Sequence, residues 1–148
     1  MKTIREHYKY FDSHTKEKMH SESKKLLLEL YFVKDEQLFF EGLIETYSFQ
    51  LIVNENFTQN RKLIERMNLL QKKNEKLIEN LKDHENKLEI LLNKNYQTIN
   101  EIKYVLWHKN ILKDIQDYLV EYRETKRLIF DMVKEIMKRE KQKHLLKE

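Results

Sequence analysis

The stretch Asn68–Leu92, NLLQKKNEKLIENLKDHENKLEILL, decides the fold. Leu63, Leu70, Leu77 and Leu91 recur every seven residues, with His84 standing in the remaining slot. Met67, Leu81 and Leu88 recur in the same way, and Asn74 occupies their missing slot. Apolar positions alternating by three and four line one face of a helix, because a turn takes 3.6 residues. The pattern has the form of a leucine zipper, in which a buried Asn fixes register. The next heptad position argues against two strands. It reads Ile64, Gln71, Ile78, Glu85, Leu92, and its apolar members widen the stripe until the helix must touch two neighbours. A DNA-binding zipper also needs a continuous basic helix before the first leucine. Only Arg61 and Lys62 stand there, after the most acidic part of the chain.

Outward from this helix lie two polar breaks, VNENFT at 53–58 and NKNYQT at 93–98, rich in the Asn that favours turns. Thr98 and Glu101 have capping-box spacing, which starts a third helix. The middle helix, 58–93, spans about 54 Å. The first helix is expected to begin near Ser21 or a little earlier. These elements predict an all-α bundle of three long antiparallel helices in one domain, 1–148. Residues 1–20 read as an N-terminal arm and the basic 134–148 as a C-terminal overhang. No repeat of solenoid length recurs.

In the third helix Leu112, Ile115, Leu119, Tyr122, Ile129, Val133 and Ile136 follow one face, interrupted by Lys126 and broadened by Ile111, Tyr118 and Met132. Ile99, Ile102 and Leu106 follow another phase. The register is therefore expected to slip around WHKN at 107–110, giving one long irregular helix or, with a break there, a fourth.

The first helix is greasy all round. From Leu26 to Val53, 17 of 28 residues are apolar or Tyr, more than two partner helices can cover. The arm carrying Tyr8, Tyr10 and Phe11, or a second copy of the chain, must cover the rest. Gly42 and Thr46 are small residues stacked four apart, suited to close approach. A helical Gly costs roughly 0.5–1 kcal/mol relative to Ala, so a packing reason is expected. A homodimer follows as the expectation, with Phe32, Phe39, Gly42, Thr46 and Phe49 at the interface.

Composition narrows the function classes. The chain has 148 residues, 40% hydrophobic and 36% charged, with one Gly, no Pro and no Cys. Disulfides, thiolate metal sites and Cys nucleophiles are excluded. MKTIREHYKYFD lacks the apolar core of a secretory signal, and no apolar run is long enough to span a bilayer. A cytoplasmic location without membrane attachment is expected. The net charge of +4 is uneven: residues 26–58 carry −5, while 1–25, 59–98 and 134–148 carry +3 each. Acids interspersed among the bases make nucleic acid an unexpected partner, though the basic tails leave a nucleic-acid-associated regulator as a second alternative.

The sequence contains no glycine-rich phosphate loop and no catalytic triad. No catalytic residue and no cofactor is assigned. Antiparallel pairing about the two turns sets His84 near Glu29 on one side and opposite Trp107 and His108 on the other. His84, His108 and Glu29 are thus candidate metal ligands in one layer, with Glu36 two turns away. A di-iron bundle needs two Glu-x-x-His pairs, and only Glu17–His20 has that spacing. A structural, hydrogen-bonded His84 is the leading reading and a bundle metalloprotein the first alternative. Asn74 falls level with Gln37 and near Tyr118, and a hydrogen bond to either makes it a register pin. The expected function is a non-enzymatic interaction or scaffold protein, self-associating through the first helix.

Overall fold

The computed structural model describes residues 13–93 and 98–147, with side chains described within 16–90 and 102–146. Its elements are α1 (Ser13–Thr46), the short α2 (Ser48–Ile52), α3 (Phe57–Asn93) and α4 (Thr98–Lys147). The described residues contain no strand. The protein is an all-α bundle. Its chain divides into two compact units, one made of residues up to Phe32 with Glu75–Asp117, the other of Val33–Asn74 with the residues from Tyr118 onward.

The seam of α3 is buried as its spacing requires. Met67, Leu70, Asn74, Leu77, Ile78, Leu81, His84 and Leu88 are all buried, and Asn74, Leu81, His84 and Leu88 are fully so. Leu63 and Ile64 are half-buried. Leu91 and Leu92 lie outside the described side chains, as do Thr98 and Glu101 of the expected capping box.

In α4 the expected register slip is absent. Tyr104, His108, Ile111, Ile115, Tyr118, Tyr122, Thr125, Ile129, Met132 and Ile136 are all buried. They alternate by four and three without interruption, so one continuous helix keeps one face inward. The slip came from a pattern that counted Leu106 and omitted Tyr104. Leu106, assigned to the inner face, is 56% exposed, because Tyr104 and His108 hold the inward positions there. α1 obeys the same rule: Met19, Ser23, Leu30, Val33, Gln37 and Phe40 face inward.

Three boundaries differ from expectation. Residues 13–20 belong to α1, with Met19 buried. The C-terminal overhang is shorter than 134–148, because Ile136 is buried and Arg139 pairs with Glu55 at 3.2 Å. Tyr8, Tyr10 and Phe11 lie outside the described residues. Finally, α1 ends at Thr46, before the expected turn, and Tyr47 (φ −104°, ψ 20°) separates it from α2. The turn itself is closed by Asn54, whose side-chain oxygen accepts the Asn56 N–H at 2.8 Å, the local hydrogen bond that makes Asn a turn former.

Candidate functional site

Each unit carries a buried polar cluster at seam positions. In the first unit, His84 of α3 and His108 of α4 come together, Nε2 to Nδ1 at 2.7 Å. The antiparallel pairing about the second turn set these two opposite each other, and the structure places them so. The other ring nitrogen of His108 reaches Glu22 of α1 at 3.1 Å. Glu29, the acid expected in this layer, is exposed on α1 instead. Glu22, Glu29 and Glu36 recur every seven residues on α1, and of the three it is Glu22 that reaches His108.

The proton arrangement that strands no donor is directional. The Glu22 carboxylate accepts from His108 Nε2–H, and His108 Nδ1 accepts from His84 Nε2–H. His84 Nδ1 is then a bare lone pair, and it has no hydrogen-bond partner among the described residues. An unpaired buried acceptor costs less than a buried charge. Burial and the neighbouring His108 push His84 down to about 4, with Lys87 acting the same way and Asp83 opposing. His84 is therefore a neutral imidazole at pH 7.

Aromatic rings fix this pair. Tyr104 stacks on His84 with centroids 4.4 Å apart, and Trp107 meets its edge at 4.6 Å. The Tyr104 hydroxyl donates to the His84 carbonyl at 2.6 Å. Lys87 Nζ sits 4.7 Å from the Trp107 ring centre, within cation–π range. Beside them His20 contacts Glu85 at 2.7 Å. Burial raises the Glu85 carboxyl above its usual range, against the pull of His20 and of the Ser23 hydroxyl. Among the described residues no group of three or more His, Cys, Asp or Glu side chains is arranged to hold a metal ion. The arrangement holds a proton in a fixed direction and orders three helical segments.

The cluster of the second unit centres on Tyr118. Its hydroxyl accepts from the Gln37 amide at 3.2 Å and donates to the Leu70 carbonyl at 2.8 Å. One α4 side chain thus ties α1 to α3. Asn74 is fully buried in the same unit. Below it, Glu36 accepts from Tyr122 at 3.1 Å and pairs with Lys126 at 2.9 Å. That pair explains why Lys126 interrupts an apolar face.

The second unit also carries an open groove between α1 and α4, with a volume of about 580 Å³. Phe39, Phe40 and Phe130 give it an apolar wall, and Asp35, Glu36, Arg123, Lys126 and Arg127 give it charge. The expected interface residues all lie on the outer face of α1 and α2. Phe32, Phe39 and Phe49 are 64%, 62% and 70% exposed. Gly42 and Thr46 are exposed too, the Thr46 hydroxyl donating to the Gly42 carbonyl at 2.9 Å. A Cβ added at Gly42 would meet nothing within 4 Å. No helix among the described residues is long and apolar enough to cross a membrane. No family model, no curated protein and no solved structure matches this chain.

Proposed function

We propose that this chain is a non-enzymatic helical-bundle interaction protein that self-associates through the outer face of its first helix. One observation carries the reading. Leu28, Phe32, Phe39 and Phe49 are each more than 60% exposed on a single repeat of four and three residues. Isolated apolar side chains on a surface need no explanation, but several large ones recurring on one outward repeat mark an association site. Aromatic residues also concentrate at the centres of protein interfaces. Gly42 supports the same reading, because nothing in its own chain requires a glycine there.

Light scattering across 1–100 µM protein tests this. The wild type is expected to run as a dimer, and Phe39→Glu is expected to weaken association at least tenfold, as loss of a buried aromatic anchor does. A wild type that stays monomeric throughout that range would overturn the reading.

A further inference from the structure

The groove between α1 and α4 has two unlike lips. On α1 and α2 the outward repeat runs Asp35, Phe39, Gly42, Thr46, Phe49, flanked by Glu41 and Glu45, all exposed. On α4 it runs Arg123, Arg127, Phe130, Lys134, Met137, again all exposed, with Asp131 beside it pairing with Arg127 at 3.8 Å. One lip is acidic and aromatic, the other basic and apolar. Asp35, Phe39, Arg123, Arg127 and Phe130 line the same groove, so both lips open toward the same side.

Resting on the self-association just proposed, we propose its geometry: a two-fold axis parallel to the helices, seating the acidic α1 lip of one protomer on the basic α4 lip of its partner. Within the second unit the two lips run in the same direction, since Glu36 bonds Tyr122 and Lys126 while Glu55, further along the chain, accepts from Arg139. A rotation about that axis keeps every residue at its own height. The bonds of Glu36 show that an α1 residue lies level with α4 residues 86 to 90 further along. The facing pairs follow from that offset. Asp35 meets Arg123, an ion pair made twice in the dimer. Phe39 meets Arg127, whose guanidinium stacks on an aromatic face. Phe130 meets Gly42, where the missing side chain leaves room for a ring. Phe49 meets Met137, a sulfur–aromatic contact.

The alternative axis, lying across the helices, seats α1 on α1 and α4 on α4. It inverts the heights and lays the acidic α1 lip with Asp35, Glu41 and Glu45 along its own copy, and the α4 lip with Arg123 and Arg127 along its own. Like charges facing each other across an interface oppose association, so charge selects the parallel axis. An isologous contact of this kind closes on itself and stops at two copies.

Charge reversal in the full chain, read by sedimentation equilibrium, tests the arrangement. Asp35→Arg and Arg123→Asp are each expected to weaken the dimer about tenfold, because each turns two attractive contacts repulsive. The double variant D35R/R123D swaps both partners and is expected to return to within about threefold of wild type. Gly42→Leu fills the seat of Phe130 and is expected to weaken the dimer while leaving the helical circular dichroism unchanged. A dimer lost in Phe39→Glu but indifferent to both charge reversals, or not rescued by the double swap, overturns this geometry and leaves self-association standing. A monomeric wild type overturns both.

Discussion

Tyr118→Ala is expected to destabilise the protein by about 3–5 kcal/mol, the range for deleting a large buried aromatic side chain. The ring is fully buried, and its hydroxyl joins Gln37 of α1 to the Leu70 carbonyl of α3. Removing it empties that space and strands the Gln37 amide, which is 2% exposed. Tyr118→Phe separates the two effects. It keeps the ring and deletes the hydroxyl, and about 1–3 kcal/mol should go with it, the desolvation cost of an abandoned polar group. Replacing Gln37 with Met in the Tyr118→Phe background should recover part of that loss, because it removes the stranded partner. Urea denaturation measures all three. A Tyr118→Phe variant within ~0.5 kcal/mol of wild type would show that the hydroxyl contributes nothing to the fold.

Acid is expected to loosen the protein through His84. Its imidazole titrates near 6.5 in the unfolded chain and at about 4 in the folded one. Between those values the unfolded chain binds the extra proton, so stability falls as pH falls. The contribution is complete above 6.5 and lost progressively toward 4. From pH 7.5 to pH 5 it amounts to roughly 2 kcal/mol, approaching roughly 3 kcal/mol below pH 4. Burial sets the sign, His108 and Lys87 add to it, and Asp83 opposes them. Denaturation at the two pH values, compared between wild type and His84→Gln, isolates the effect. Equal pH dependence in both proteins would mean that His84 carries no such strain.

The α3 seam was legible because its aliphatic residues and its two polar slots obey one period. His84 opposite His108 was legible for a related reason, as a short turn fixes which layers of two antiparallel helices meet. Tyr104, His108 and Thr125 carry the inner face of α4, and leaving Tyr104 and Thr125 out of the pattern created a register slip that does not exist. Glu22 was missed because periodicity alone does not say which of Glu22, Glu29 and Glu36, seven residues apart on α1, stands at the height of His108. Lys126 broke an apolar pattern, and only the position of Glu36 on another helix explains it. Periodicity reports the face of each helix, whereas the height of one helix against another rests on turns that composition marks poorly.

The absence of cysteine from the chain makes the central claim directly measurable. A single nitroxide on Glu41→Cys, exposed on α1, reports only distances between protomers. Double electron–electron resonance on that variant is expected to give an inter-label distance below about 30 Å, since helices packed across an interface lie 8–10 Å apart. The same label on Asn68→Cys, exposed on α3, should give a longer one. Absence of dipolar coupling at position 41, or a shorter distance at 68 than at 41, would contradict association through the first helix.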